Sequence, residues 1–576
     1  MKEKHWRLLA QPTSDKEHTQ LKKLEESLGI DTALATLLWQ RGIASFEEAK
    51  SFFRPELKSL HDPFLMKDMD KAVERLTSAF RKDEKILIYG DYDVDGTTAV
   101  ALVYGFLSQH YNHLEYYNPD RYKEGYGISK EGIEWAKQQG CSLIIALDCG
   151  IKANENISYA GSLGIDFIVC DHHEPGEVLP DAFAILDPKR VDCPYPFKEL
   201  TGNGVGFKLL TAWCSVNNIP IEKLYEFLDL AMVSIASDIV PIVGENRILA
   251  FHGLKKINEN PRTGLKALLE ISGFKGEMTI ENVVFTLGPR INAAGRIKHA
   301  KAAVQLLLST NYEEALSFAH EIQSHNTERK SFDSRITEEA LSMIRNDNWL
   351  LHEAKSTVLY KDDWHKGVIG IVASRCIEQY HRPTVIFTRT KEGIAAGSAR
   401  SVPGFNLYEA LEACSSLLHQ FGGHMHAAGM TIPINRIEEF RQHFDRFVSK
   451  MITDEMLTPR INVDIEIFLG QLTPKFYRIM KQMGPFGPKN MQPVFRTNGL
   501  RLASEPRIMK EKHFRLDLVD EKSGSTFPAV GFGMTDSHLP VIKASEKLDI
   551  VYTLEENDFR GQKTLQLFLK DLKPHL

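Results

Sequence analysis

No CxxC pair occurs among the seven cysteines (Cys141, Cys149, Cys170, Cys193, Cys214, Cys376 and Cys414), which argues against zinc ribbons and thioredoxin chemistry. No run approaches the ~18–20 apolar residues of a membrane span. The opening MKEKHWRLLAQPTSDKE has no stretch of the signal-peptide type. The expectation is a cytoplasmic protein with no membrane association and reduced thiols. No internal repeat and no low-complexity tract is present. Neither sign of charge dominates: 70 basic residues against 76 acidic leave a net charge of −6, which argues against a nonspecific polycation. A local basic groove could still bind nucleic acid. With 43% hydrophobic and 25% charged residues, the chain is not disordered, collagenous or a disulfide scaffold. Its 576 residues correspond to about three or four domains at roughly 150 residues each.

From about residue 84 short apolar runs alternate with helical patterns. Strands are expected at Lys85–Tyr89, Leu114–Asn118, Ser142–Leu147, Asp166–Cys170 and Ala182–Leu186. Helices are expected at Thr97–His110, Ser129–Gln139 and Ala153–Leu163. Three of the strands are almost wholly apolar, as for parallel strands covered on both faces. This is the pattern of a doubly wound α/β domain, expected over 46–300. A helical connector is expected over 301–350. A second, smaller α/β domain follows over 351–452, with strands at Ser356–Tyr360 and Pro383–Thr388 around a helix at Val368–Gln379. Over 453–576 the text turns to alternation, in Arg460–Phe468, Phe514–Val519, Leu548–Leu554 and Thr564–Leu569, and predicts a small barrel or sandwich. Residues 1–45 carry no interpretable pattern.

The chemistry is written after the strands. KILIY runs into GDYDVDG, with Asp91, Asp93 and Asp95; SLIIAL runs into Asp148; DFIVC runs into Asp171-His172-His173. Ligands of open parallel sheets bind outside the carboxyl ends of the strands. One such aspartate is ordinarily a turn former or helix cap. Several acids and two histidines at three strand ends would repel one another unless a cation were bound. Carboxylates with imidazole and no thiolate suit Mn2+ or Mg2+ rather than zinc or copper. Enough carboxylates are present for two ions, an arrangement suited to in-line phosphoryl displacement. A phosphoesterase is therefore expected on the residues alone.

DYDVDG, LDCG, DHH and SIASDIVPIVGENR together resemble the DHH phosphoesterase superfamily, and within it the RecJ single-strand exonucleases. The resemblance continues in order through PDRYKEGYG, GNGVGFKL, LGPRINAAGR, WHKGVIGIVASR, GSARS and FGGHMHAAGM. It implies a DHH catalytic domain, a DHHA1-like second domain and an oligonucleotide-binding (OB-fold) barrel. The implied metal ligands are Asp93, Asp95, Asp148 as the bridging carboxylate, His172 and Asp238. His173 would contact the scissile phosphate or assist proton transfer, with Asp171 orienting a histidine. Asp91 would be a further ligand or an orienter. Arg290 and Asn292 would meet the backbone near the cut. Arg121, Ser398 and Arg400 would hold a 5′ phosphate, and Gly422, Gly423 and His424 would lie close to phosphates. In the barrel, Lys510, Lys512, His513 and Arg515 are candidates for a single-strand groove.

The implied activity is metal-dependent 5′-to-3′ degradation of single-stranded DNA to 5′ mononucleotides, in repair and recombination. Implied partners are single-stranded DNA, a helicase and a single-strand-binding protein, the chain itself being a monomer. A small-substrate pyrophosphatase or short-oligonucleotide phosphodiesterase of the same superfamily would lack the barrel. A noncatalytic replication scaffold would have lost ligands that this chain retains.

Overall fold

The computed structural model describes residues 3–121, 123–297, 301–559 and 561–575. They fall into two compact units. The first comprises Ser45–Thr327 and Met480–Gln492; the second comprises Met1–Ala44, Glu328–Ile479 and Pro493–Leu576.

In the first unit a five-stranded, all-parallel sheet runs in the order Leu114–Tyr117, Lys85–Gly90, Cys141–Leu147, Asp166–Cys170, Ala184–Leu186. Alternating side chains sort into two cores, as the two-residue period of a strand requires. Ile86, Ile88, Leu143, Ile145 and Ile168 join one large core that includes residues of the helices Met69–Arg81, Val94–Leu107 and Gly202–Val216. Leu87, Tyr89, Ile144, Ala146, Phe167 and Val169 pack instead with Ile133, Ala136, Ile157 and Ala160 of the helices Lys130–Gln138 and Asn154–Ser162. Burial on both faces explains the nearly unbroken apolar runs. The chain passes from Lys85–Gly90 outward to Leu114–Tyr117 and then crosses to Cys141–Leu147 on the other side. The strand order thus reverses beside Lys85–Gly90, and such a reversal opens a crevice at the carboxyl ends.

The helix expected from Thr97 begins at Val94. Asp93 is its N-cap and accepts the Gly96 amide at 3.0 Å, so the helix starts inside the acidic motif. The first unit also runs beyond residue 300: Ala303, Val304, Leu306 and Leu307 of the helix Lys301–Leu308 lie in its large core. A 35-residue helix follows, Tyr312–Asn346. Its Ala315, Ala319 and Ile322 belong to that same core, whereas Ile336, Ala340 and Ile344 belong to a core of the second unit.

The second unit holds a mixed five-stranded sheet in the order Gln420–His424, Ala427–Pro433, Ile394–Arg400, Thr384–Lys391, Thr357–Tyr360. It also holds a closed barrel. Phe495–Leu502 pairs with His513–Asp520 on one side and Leu548–Phe559 on the other, and Ser525–Gly531 and Gln562–Pro574 complete the ring. This is the Greek-key order of an OB-fold. Residues 1–44 belong to this unit: His5–Leu8 pairs in parallel with Arg460–Val463, and the Trp6 indole donates to Asp571 Oδ2 at 2.7 Å. No described helix is long and apolar enough to cross a membrane, and all seven cysteines are free and buried.

Candidate metal centre

Strand ends, helix ends and one strained turn of the first unit converge at the reversal point. Asp148 follows Cys141–Leu147 with φ 59°, a left-handed conformation that costs an L-residue with Cβ of order 1–3 kcal/mol. Its Oδ1 lies 3.2 Å from His172 Nε2, which is 3.7 Å from both Asp95 Oδ2 and Asp238 Oδ2. Asp238 ends the helix Leu228–Ser237, and Ile239 after it holds φ 58°, an outlying conformation for a β-branched side chain. Asp95 sits in the first turn of Val94–Leu107 and is clamped from across the fold. Its carboxylate accepts the amides of Gly202 (2.6 Å) and Asn203 (2.9 Å) and the Ser234 hydroxyl (2.8 Å). The clamp requires Gly202, because a Cβ there would lie 2.5 Å from Asp148 Cβ.

Two groups of ligand atoms, each within 4.8 Å, emerge: Asp148, His172 and His173, and Asp95, His172 and Asp238. Asp93 stands outside both, capping its helix, but its charge is among those felt by Asp91, Asp95, Asp148 and Asp238. Asp91 is fully buried; its Oδ1 accepts the Gly127 amide at 3.1 Å. Asp171 accepts the amides of His172, His173 and Ile151 and lies 2.7 Å from His173 Nδ1.

The electrostatics of the cluster are those of a cation site. Burial, then the neighbouring carboxylates, push Asp148 well above the usual aspartate range. Burial and the charge of Asp93 do the same to Asp91, and burial raises Asp95 against the pull of His172. Burial with Asp95 and Asp93 lifts Asp238 to about 8. Burial holds His172 below its ordinary value. Among the described residues, Asp148 Oδ2, Asp91 Oδ2 and His172 Nε2 are buried without a hydrogen-bond partner. Excess negative charge, orphaned ligand atoms and an oxygen-rich donor set fit hard divalent ions. His173 differs. Burial opposes its protonation, but the Asp171 hydrogen bond and charge prevail and raise it to about 9.

The helix Gly288–Ile297 lies along the cluster. A Cβ on Gly288 would meet Ser237 Oγ at 3.0 Å, and one on Gly295 would meet the Tyr92 carbonyl at 2.7 Å. Asn292 is half-buried on this helix. Arg290 is buried: its Nε donates to Gln323 Oε1 (2.8 Å) and its Nη1 to the Thr286 carbonyl (2.6 Å). That carbonyl belongs to the π-helical turn Val283–Leu287. Arg121 lies over the Tyr92 ring, 5.1 Å from its centroid.

The remaining candidates belong to the second unit. Ser398 and Arg400 stand two apart on Ile394–Arg400, hence on one face. Ser398 is in register with Gly429 and Gly422; Arg400 is in register with Ala427 and His424. Directly opposed residues share a face, so Gly422 and His424 flank the pair across a row of small residues. The Arg400 Nη1 donates to Ser398 Oγ at 3.1 Å. A Cβ on Gly370, at the start of the helix Ile369–Tyr380, would lie 2.8 Å from both Arg400 Nη2 and Ser398 Oγ. Burial and the charges of His426 and Arg400 keep His424 below the usual histidine value. Gly423 has a backbone role: at φ 150° its Cβ would collide with the Ala427 carbonyl at 2.4 Å.

Sequence reasoning assigned no role to Gly202, Asn203 or Ser234, which hold Asp95. The signal was a glycine-rich segment, GNGVG, opening a helix, where free amides attract carboxylates.

Three families match in succession: the DHH family N-terminal domain over residues 85–235, the DHHA1 domain over 353–450 and the RecJ OB domain over 463–571. The single-stranded-DNA-specific exonuclease RecJ of Bacillus subtilis is 38% identical over 566 residues, covering 98% of this chain and 70% of the relative. That of Escherichia coli is 32% identical, covering 97% and 100%. The fold matches the crystal structure of Thermus thermophilus RecJ in complex with Mn2+, with TM-score 0.84, 27% identity and coverage of 99% and 80%. The Mg2+ complex of that protein matches with TM-score 0.79 and 25% identity, covering 99% and 79%. With three domain families in order and such identity along nearly its whole length, the chain belongs to the RecJ family of single-stranded-DNA-specific exonucleases.

Proposed function

We propose that this chain is a metal-dependent exonuclease that removes 5′ mononucleotides from single-stranded DNA. The observation that carries the reading is the convergence of Asp95, Asp148, His172, His173 and Asp238 at the carboxyl edge of the parallel sheet, with excess negative charge and orphaned oxygens. Asp93, Asp95, Asp148, His172 and Asp238 would hold two Mn2+ or Mg2+ ions, which when bound supply water activation and offset charge on the phosphoryl oxygens.

The protein's own groups do the remaining work. His172 is common to the two ligand groups, and Asp148, whose Oδ1 lies 3.2 Å from His172 Nε2, is the carboxylate we assign as the bridge. Asp171 fixes the His173 ring beside the cluster, where the imidazole is assigned to contact the scissile phosphate or to assist proton transfer together with the Tyr126 hydroxyl, 3.0 Å from its Nε2. Asp91 secures the Gly127 amide and so the loop that follows Arg121. Arg290 pins the helix Gly288–Ile297, and Asn292 on that helix is the residue we assign to the DNA backbone. In the second unit, Ser398, Arg400, His424 and the start of the helix Ile369–Tyr380 form a cradle for a terminal phosphate. Arg121, over the Tyr92 ring in the first unit, is assigned to a phosphate of the strand.

The barrel offers a track for the strand. His513 and Arg515 alternate with buried Phe514 and Leu516, so they lie on the outer face. Phe532, half-exposed, packs on Phe568 (5.2 Å, stacked) and His513 (5.1 Å), and Lys570 lies over the Phe568 ring. Arg507 is in register with Arg515. Lys510 and Lys512 are exposed on the turn just before His513. Aromatic and basic groups on one barrel face suit stacked bases and a phosphate backbone without sequence readout. Specificity for single strands calls for a strand supplier such as a helicase, and the buried free thiols accord with a reducing, cytoplasmic setting.

The test is digestion of matched single strands, labelled at either end, beside a blunt duplex, with and without Mn2+ or Mg2+. Mononucleotides released first from the 5′ end, from single strands alone and only with metal, are expected. Tight single-strand binding with no cleavage under either metal would overturn the reading.

A further inference from the structure

Tyr126 stands between Gly125 and Gly127, which hold φ 90° and 83°, and the Gly127 amide is fastened to Asp91. The Tyr126 hydroxyl lies 3.0 Å from His173 Nε2 and 3.4 Å from the Asp148 carbonyl. On the far side of the imidazole, Nδ1 lies 2.7 Å from Asp171 Oδ1. That carboxylate already accepts three amides, so it acts as an acceptor and the Nδ1 proton resides on His173. The imidazole is therefore gripped at both nitrogens. The residue is 55% exposed, and its ring meets Tyr92 and His173 only edge-on. Burial of so exposed a ring gains little. What defines its pose is the hydroxyl turned inward to His173.

We infer that Tyr126 is a positioning residue for the reaction: its hydroxyl, opposite Asp171, fixes the orientation of the His173 imidazole at the metal cluster. The inference rests on the placement of His173 in the reacting site. Loss of the hydroxyl leaves Nε2 without its partner and lets the ring swing about its χ angles, while the contacts made by the tyrosine ring persist in phenylalanine. The contribution is that of one hydrogen bond to an imidazole, worth about tenfold in rate. It should act on the chemical step rather than on substrate binding.

The experiment compares wild type, Y126F, H173Q and the double variant on a short single strand with Mn2+. It adds nitrogen-15 spectra of histidine-labelled, metal-free protein, in which H173Q identifies the His173 signals. Y126F should lower kcat about tenfold with KM unchanged. It should have no further effect in the H173Q background, and it should shift the His173 Nε2 signal in the absence of metal. Wild-type kcat in Y126F, or an equal loss in both backgrounds, would overturn the inference, as would an unmoved Nε2 signal. Failure of the wild type to cut at all would instead overturn the proposed function, and the metal-free spectra would still decide the role of Tyr126.

Discussion

Asp148 carries three burdens at once: a left-handed backbone, full burial and the repulsion of its neighbours. A bound cation is what offsets them. Asn tolerates the left-handed region whereas Ala does not, so Asp148→Asn is the informative change. It should cut metal-dependent cleavage by more than about a hundredfold, since removing even an outer partner of a metal ligand costs about 10–100-fold. Thermal denaturation of the metal-free protein should show no loss of stability, because one repelling carboxylate is gone. Gly202→Ala tests the clamp. Its Cβ would meet the Cβ, Cα and amide nitrogen of Asp148 at 2.5, 2.6 and 2.9 Å, atoms that cannot yield without moving the ligand. We expect destabilisation of about 1–3 kcal/mol, read by chemical denaturation, and weaker Mn2+ uptake by titration calorimetry. Arg400→Ala should erode the preference for a 5′-phosphorylated over a 5′-hydroxyl strand more than it slows cutting. Competition between the two strands measures it, and equal use of both by the wild type would refute the cradle.

At the scale of elements, helix ends do as much as strand ends. Val94–Leu107 presents Asp95 in its first turn, Gly202–Val216 offers two amides to that carboxylate, and Leu228–Ser237 delivers Asp238. Positive helix N-termini steady negative charge, which keeps Asp95 ordered despite its burial. In the barrel, alternation places His513 and Arg515 outside and Phe514 and Leu516 inside, so binding and folding use opposite faces of the same strand. Phe532→Ala should therefore leave the barrel intact. It should weaken affinity for long single strands by about 1–3 kcal/mol, the range for one lost stacking contact, while kcat on a short oligonucleotide stays unchanged. Fluorescence anisotropy with strands of two lengths makes the comparison.

For the whole molecule, the cluster couples stability to pH and metal. Asp238 rises from 3.8 to about 8, and Asp91, Asp95 and Asp148 rise as well, so the metal-free folded state keeps protons that the unfolded chain releases. Stability of the metal-free protein therefore falls as pH rises from about 4 to about 8. His173, raised to about 9, acts in the same direction: its contribution is full below 6.5 and is lost as pH rises through about 9. Asp171, lowered to about 2, contributes stability above 3.8 that is lost only as pH falls toward 2, outside this window. His172, held below its ordinary value, acts the other way below 6.5, but four raised carboxylates and His173 outnumber it, so melting temperatures of metal-free protein should decline between pH 5 and pH 8. Excess Mn2+ should flatten or reverse the trend, with protons released on binding. A melting temperature that climbs across this range without metal would contradict the picture.

The sequence by itself determined the parallel strands and the acids behind them. A strand followed by Asp91, Asp148 or Asp171 is a local pattern, and parallel pairing then sends those carboxylates to one edge whatever the helices do. Alternation likewise determined which side of each barrel strand is apolar. Contacts between residues far apart in the chain were settled only by the tertiary structure. Asp95 meets the Gly202 amide 107 positions away, and Trp6 reaches Asp571 across 565. The helix start at Val94 depends on a cap formed by an acid that reads as a ligand. The placement of Arg290 rests on a carbonyl in a π-helical turn, which no hydrophobic period announces. The hydroxyl of Tyr126 meets His173 across 47 positions, from a turn whose Gly127 amide is held by Asp91. Local periodicity is encoded over a few residues; the partner of a buried charge is chosen by packing among elements that meet only once the chain has folded.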